Sequence, residues 1–133
     1  MQIKQNDELT SEALCHLIVK AAVEKKAINP VVIDVRGHSS YAEYLVVCSG
    51  RNDRHVNGIA NGIDEAVAPH RICLGNEGLA NGQWVLLDYD DVIVHVFYGT
   101  RRHEYDLEKL WADVPRVPVD VPSELRNEAD FYE

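Results

Sequence analysis

The sequence predicts a single α/β domain in which helices cover a mixed β-sheet. Two Val-rich runs, Trp84–Leu87 and Val92–Tyr98, are short enough for strands and flank an acidic break. Other stretches carry apolar residues at helical spacing, and the two kinds of segment are interspersed along the chain. A length of 133 residues with 46% hydrophobic residues suits one domain with a substantial core.

The first predicted element is a helix over Leu9–Lys26. Its apolar residues recur at helical spacing, and Thr10 is a plausible N-cap. Lys25 and Lys26 suit the negative end of the helix dipole, and Asn29-Pro30 is expected to stop the helix. We expect residues 1–7 to be loose.

Two strands and a second helix follow. Val31–Val35 and Tyr44–Cys48 are rich in Val and predict strands. The turn after the second strand predicts a helix capped by Asn52 or Asp53 and continuing to about Val67.

The next segment predicts a hairpin over Trp84–Tyr98. Ile72–Leu74 is a candidate short strand, and Gly75–Gly82 is a loop by composition. Asp90 and Asp91 suit the two-residue turn, because Asp tolerates positive φ. This turn sets Trp84 opposite Phe97, Leu86 opposite His95 and Asp88 opposite Ile93, so Trp84, Leu86 and Asp88 share one face of the sheet.

The chain ends in a predicted helix and a tail. The helix runs from about Arg102 to Ala112 with Leu107, Leu110 and Trp111 directed inward. Prolines and acidic residues follow, so residues 9–114 are predicted to form the domain and residues 115–133 a disordered acidic tail.

Charge and cysteines narrow the possible functions. The formal net charge is −9, which disfavours broad nucleic-acid binding and favours a basic partner surface. Cys15, Cys48 and Cys73 lie far apart among apolar residues, which indicates buried free thiols in a reducing compartment. The N-terminus shows no signal-peptide pattern and no apolar run approaches membrane-spanning length, so we expect a cytoplasmic protein.

Two kinds of chemistry compete at the acidic turn. Asp88, Asp90 and Asp91 could hold Mg²⁺ in a nucleotidyltransferase-like enzyme, with Ser49-Gly50 contacting a phosphate, but no Lys-bearing phosphate loop accompanies them. The alternative is a binding module, and we expect no metal or cofactor.

The aromatic and histidine side chains near this turn have interpretations of their own. His95 lies in an apolar strand and is interpreted as a core histidine with Asp88 as its possible partner. Trp84 fits core and interface equally well on physical grounds, whereas Tyr89 at the hairpin tip is expected to be exposed.

The sequence also resembles the ribosomal silencing factor (Iojap, RsfS) family. The resemblance covers about Leu9 to Ala112. It is carried by Asp34-Val35 with Ser39-Ser40, Ser49-Gly50 with Arg54-His55-Val56, Glu77-Gly78, Trp84–Tyr89, Asp91–Phe97 and Tyr105–Trp111.

This resemblance implies a role without catalysis. Proteins of the family bind the large ribosomal subunit through the protein called L-fourteen, block joining of the small subunit and so repress translation. Their fold is similar to that of nucleotidyltransferases, and several members form homodimers. By motif match, the partner-binding positions fall on Trp84, Asp88 and Tyr89. The adjacent Asp90 stands where the family usually has Gly and adds a charge beside that surface.

Overall fold

Residues 9–126 are described by a computed structural model, in which a six-stranded mixed sheet carries helices on both faces. The predicted fold class is therefore confirmed. Residues 1–8 and 127–133 lie outside the described part of the chain, and so does the expectation of a loose start.

The helices and strands alternate irregularly along the chain. The helices are α1 Ser11–Glu24, α2 Asp53–Val67, α3 Gly99–Tyr105 and α4 Leu107–Leu110. The strands are β1 Ile28–Asp34, β2 Tyr44–Gly50, β3 Gly75–Glu77, β4 Trp84–Asp88, β5 Val92–Tyr98 and β6 Arg116–Val117.

The strand order across the sheet is β3-β4-β5-β2-β1-β6. Only the central pair β2–β5 is parallel, and every other neighbouring pair is antiparallel. β1 starts earlier than predicted. Asn29-Pro30 lies inside it at a register shift between Ile28 and Val31, where Asn29 has φ +53°.

Both long helices begin at the predicted caps. The Thr10 hydroxyl accepts the amide of Ala13 at 3.1 Å, and the Asn52 side chain accepts the amide of His55 at 2.8 Å. Each cap satisfies one of the free N–H groups at the start of its helix.

The sheet separates two hydrophobic layers. On one face, α1 and α2 cover Val46, Cys48, Val94 and Val96 in the larger core. On the other face, Leu107, Trp111 and Val114 cover Ile33, Leu45, Val47 and Phe97 in a smaller core. The surface described below lies on this second face.

Two predicted elements differ in the structure. Ile72–Leu74 is not a strand, and Ile72 and Leu74 are exposed; the following residues Gly75–Glu77 pair with β4 instead. The last predicted helix is divided, because Asp106 adopts a left-handed conformation with φ +48° between α3 and α4. This change of direction turns Leu110 outward, where it is 71% exposed.

The C-terminal segment is ordered where a mobile tail was expected. Arg116 and Val117 pair with β1, and Val121 and Leu125 are buried in the larger core. Because Val alternates with Pro and Asp in this segment, the sequence shows no helical or strand pattern that would predict these apolar contacts. The prediction of disorder is therefore wrong for residues 115–126, and residues 127–133 lie outside the described range.

The three cysteines are free and differ in burial. Cys15 and Cys48 are buried as expected, and burial raises the pKa of each thiol to about 12. Cys73 is partly exposed, contrary to expectation. Among the residues described, no helix combines the length and apolar character needed to cross a membrane.

The turn between β4 and β5 places Asp90 in the left-handed region. Its φ is +80°, and its amide donates to Asp88 Oδ1 at 2.8 Å. Asp91 is not among the positive-φ residues, so the positive φ predicted for the turn falls on Asp90.

Replacing Asp90 with Gly should stabilise the protein by about 1 kcal/mol, because Gly adopts positive φ without a Cβ penalty. Urea unfolding of Asp90→Gly and wild type measures the difference. Asp90→Ala keeps the backbone strain and serves as the control, with no gain expected. Equal stability of the Gly variant and wild type would contradict the prediction.

Candidate partner-binding surface

The hairpin β4–β5 arranges the candidate residues. Trp84 pairs with Phe97, Leu86 with His95 and Asp88 with Ile93, which is the predicted register. Because side chains alternate along a strand, Trp84, Leu86 and Asp88 share one face, and each is half-buried. We call these three residues, together with the exposed Asp90 at the turn, the β4 surface.

Trp84 is held within an aromatic cluster. Its ring lies 5.2 Å from that of Phe97 and 4.3 Å from that of Tyr105, measured between centroids. Phe97 is fully buried beneath it, whereas Tyr105 is 50% exposed. Trp84 therefore belongs partly to the core and partly to the surface, so the core interpretation holds in part and the interface interpretation stays a prediction.

His95 is buried but has a different partner from the one predicted. The indole Nε1 of Trp84 donates to His95 Nδ1 at 3.0 Å, whereas Asp88 Oδ1 accepts the amide of Asp90. Burial lowers the pKa of His95 to about 4, so the imidazole is neutral at physiological pH. The expected Asp88–His95 pair is thus replaced by a Trp84–His95 pair.

Tyr89 is not at the surface, so the expectation of exposure is wrong. It is 1% exposed and lies on the opposite face of the sheet from Trp84, under α2. Its hydroxyl donates to Asp64 Oδ1 at 2.7 Å, and burial together with this hydrogen bond raises the tyrosine pKa. The sequence places Tyr89 next to an acidic turn, but the two-residue alternation of β4 continues through it and directs it into the core.

Two of the carboxylates at the turn, Asp88 and Asp91, have different partners. Asp91 forms an ion pair with Arg71 at 2.7 Å and accepts the Ser11 hydroxyl. Burial raises the pKa of Asp91, but the hydrogen bonds from Arg71 and Ser11 outweigh it and hold that pKa below its usual value. This pairing ties the turn to the start of α1, so Asp91 has a structural partner.

The enzyme interpretation receives little geometric support. Ser49 is buried, and its hydroxyl oxygen accepts a hydrogen bond from Arg102 at 3.1 Å. Within residues 9–126, no group of three or more His, Cys, Asp or Glu side chains is placed to hold a metal ion. Of the residues proposed for Mg²⁺ and phosphate contact, Ser49, Asp88 and Asp91 therefore have other partners in the structure.

A cleft of about 320 Å³ adjoins Trp84. Its lining consists of Gly78, Asn81, Gln83, Trp84, Arg101 and Tyr105. Gly78 has φ +92°, and a Cβ there would lie 1.9 Å from the carbonyl oxygen of Trp84, so only glycine lets the loop approach β4 this closely. Nothing in the local sequence indicates that Tyr105 lies here, because its contact with Trp84 depends on how α3 folds back over the sheet.

The electrostatics around the β4 surface are acidic. No Lys or Arg occurs from residue 72 to residue 100. Glu77 lies opposite Leu86 and is exposed, so it adds a carboxylate beside Asp88 and Asp90. Arg101 borders the cleft, but its guanidinium contacts Glu104 at 2.9 Å. The surface thus combines half-buried aromatic and aliphatic groups with a negative border.

The buried His95 predicts a specific dependence of stability on pH. The unfolded histidine takes up a proton near its usual pKa of about 6.5, whereas the folded one stays neutral down to about 4. The unfolded state therefore binds more protons in this window, and stability falls as pH falls. The expected loss between pH 7 and 4 is about 3 kcal/mol.

Urea unfolding gives the free energy of unfolding of wild type and of His95→Asn across this pH range. The difference between the two profiles is the contribution of the His95 imidazole. His16→Asn is the matched control, because the His16 side chain is 50% exposed. Parallel pH profiles for wild type and His95→Asn would contradict the assignment of a neutral buried imidazole.

Comparison with sequence families gives one match along nearly the whole chain. The model of the family described as "Ribosomal silencing factor during starvation" matches residues 8–132. The likeness therefore includes the C-terminal segment, which the resemblance drawn from motifs left out.

Curated relatives show a similar extent of likeness. The ribosomal silencing factor RsfS of Halalkalibacterium halodurans is 34% identical over 113 residues, covering 84% of this chain and 97% of the relative. The RsfS of Bacillus subtilis is also 34% identical over 113 residues, covering 84% and 96%.

Two crystal structures share the fold. A protein from Bacillus halodurans superimposes with a TM-score of 0.72 at 33% identity, covering 81% of this chain and 99% of the other. A protein from Chromobacterium violaceum gives a TM-score of 0.70 at 28% identity, covering 84% and 88%.

Proposed function

Because the chain belongs to the ribosomal silencing factor family, we propose that it binds the large ribosomal subunit through protein L-fourteen. Occupying that site would block joining of the small subunit and repress translation. We place this activity in the cytoplasm and assign the protein no catalytic step. The observation that carries the proposal is the β4 surface, where a half-buried Trp shares one face of a strand with a half-buried Asp on an acidic protein.

The chemistry of this surface suits a basic and partly apolar partner. Ribosomal proteins contact RNA through Lys and Arg, and complementary charge accelerates association with such a surface. The absence of Lys and Arg from residues 72–100 leaves the negative potential of this region largely uncancelled. Trp84 and Leu86 add apolar area that can be buried on contact.

The proposed site residues have separate roles. Trp84 supplies the central apolar contact, and Asp88 and Asp90 pair with Lys or Arg of the partner. Tyr89 supports the site without touching the partner, because its hydrogen bond to Asp64 on the opposite face of the sheet holds the end of β4 against α2. The family resemblance implies a homodimer for several members, so the chain is also a candidate for self-association.

Truncating Trp84 to Ala should weaken large-subunit binding by about 2 kcal/mol or more, as expected for an aromatic residue at the centre of an interface. Asp88→Lys should abolish co-sedimentation, because it adds repulsion as well as removing attraction. Co-sedimentation with separated ribosomal subunits, combined with the melting temperature of each variant, measures binding and folding independently.

Glu65→Lys is the matched control, because it makes the same charge change at an exposed position on α2, away from the β4 surface. It should bind normally. A folded Asp88→Lys variant that co-sediments like wild type would remove Asp88 from the site, and a wild-type protein that binds neither subunit would refute the proposed function.

A further inference from the structure

His95 lies beside the β4 surface, opposite Leu86 on the neighbouring strand β5. It contacts Trp84 through one hydrogen bond and through its ring, whose centroid lies 5.9 Å from that of the indole. The indole N–H donates to Nδ1 at 3.0 Å, so Nδ1 carries no proton and the neutral ring holds its proton on Nε2. His95 is 8% exposed, whereas Trp84 is half-buried. A partly exposed side chain is thereby fixed to a group that the solvent hardly reaches.

The surrounding rings constrain Trp84 only in part. Phe97 stacks against the indole with an interplanar angle of 26°, and Tyr105 covers it at 41°. Ring stacking holds the plane of the indole, but it does not distinguish the ring from one turned over by roughly 180° about the Cβ–Cγ bond. The directional hydrogen bond to His95 makes that distinction.

We propose, on the basis of the function proposed above, that His95 is a positioning residue for partner binding, because it fixes the orientation in which Trp84 meets the large subunit. A side chain already ordered before association loses less conformational freedom when the complex forms. His95 therefore contributes to affinity although the partner does not touch it.

The same bond defines what the partner places against Trp84. The indole N–H already has an acceptor inside the protein, so the ring offers only its carbon edge and its π-face. An aliphatic side chain or the flat guanidinium of an Arg matches these groups, and a lone hydrogen-bond acceptor does not. The acidic border formed by Glu77, Asp88 and Asp90 favours the Arg.

Three substitutions at one position test this role. In His95→Asn, the side-chain amide oxygen can occupy the position of the imidazole Nδ1. In His95→Gln, the longer side chain carries its amide towards the position of the imidazole Nε2 instead. In His95→Phe, the side chain keeps a ring but has no hydrogen-bond acceptor. His95→Asn should therefore retain the bond to Trp84, whereas His95→Gln and His95→Phe should lose it. If the Phe variant does not fold, the Asn and Gln pair still carries the comparison, because both introduce the same amide group.

Two measurements are made on each variant. The first is the ¹⁵N–¹H spectrum of the indole groups, in which a hydrogen-bonded and slowly exchanging Trp84 Nε1–H is expected for wild type and His95→Asn only. The second is the dissociation rate from purified large ribosomal subunits. His95→Gln and His95→Phe should bind roughly tenfold more weakly than His95→Asn, mainly through faster dissociation.

The outcomes separate the role of His95 from the proposed function. Folded Gln and Phe variants that lose the indole signal yet bind as tightly as wild type overturn the positioning role alone. Weak binding by all three variants, with the indole signal intact in His95→Asn, also overturns it. A wild-type protein that does not bind the large subunit overturns both, and its indole spectrum then reports only on the internal bond.

Discussion

Replacing Arg102 with Met should lower the free energy of unfolding by about 3–5 kcal/mol, because it breaks a buried ion pair and leaves its partners without a donor. Arg102 is 1% exposed, and its guanidinium forms two hydrogen bonds with Glu108, at 3.0 and 2.7 Å. It also donates to the carbonyl oxygens of Ile28 and Asn29 and to the Ser49 hydroxyl.

These contacts make Arg102 the link between α3, α4 and the ends of β1 and β2. Once it is removed, Glu108 and three polar acceptors lose a buried donor, and each loss carries a desolvation cost. Met fills a similar length of space, so the expected effect comes from lost polar contacts more than from a cavity. Urea unfolding monitored by circular dichroism gives the difference.

The neighbouring Arg101 provides a matched control. Its side chain is 44% exposed and pairs with Glu104, so Arg101→Met should change stability by about 0.5 kcal/mol or less. Arg102→Lys should also destabilise, since an ammonium cannot reproduce the two-pronged contact with Glu108. A loss below about 1 kcal/mol for Arg102→Met would contradict the assigned role.

Ending the chain at Pro118 should destabilise the protein by about 3 kcal/mol or more, because it removes two buried side chains from the larger core. Val121 and Leu125 are each 6% exposed, and Val119 packs against the same cluster. For a domain of this size, the melting temperature should fall by roughly 10 °C.

Two further variants locate the origin of the effect. A chain ending at Arg126 keeps these contacts and should melt close to the wild-type temperature. The full-length double variant Val121→Ala, Leu125→Ala should reproduce most of the loss without shortening the chain. A chain ending at Pro118 that melts within a few degrees of wild type would show that the segment adds little to the core.

The sequence was most informative where local pattern determines structure. Thr10 and Asn52 are caps whose side chains act within three residues, and the hairpin register follows from the two residues between Tyr89 and Val92. Such contacts depend on neighbours along the chain, so composition and spacing are sufficient to predict them.

Contacts between segments far apart in the sequence could not be predicted from local composition and spacing. The burial of Val121 depends on a core assembled from α1, α2 and the sheet, and nothing in the local run of Pro, Val and Asp indicates it. The Trp84–His95 bond joins diagonal neighbours in the hairpin, so the correct register brought the two residues close but did not show that they bond. The acidic neighbours of Tyr89 favoured a prediction of exposure. The alternation of side chains along β4, which directs Trp84 to one face of the sheet, directs Tyr89 to the opposite face, where it is buried.

The two edges of the sheet bear on how the protein resists aggregation. Its long strands β1, β2 and β5 are all interior, while the edge strands β3 and β6 have only three and two residues. β6 lies between Pro115 and Pro118, which have no N–H to offer to another strand, and β3 carries the exposed charge of Glu77. Each edge strand therefore offers only a short run of unpaired backbone, which limits its pairing with a second molecule.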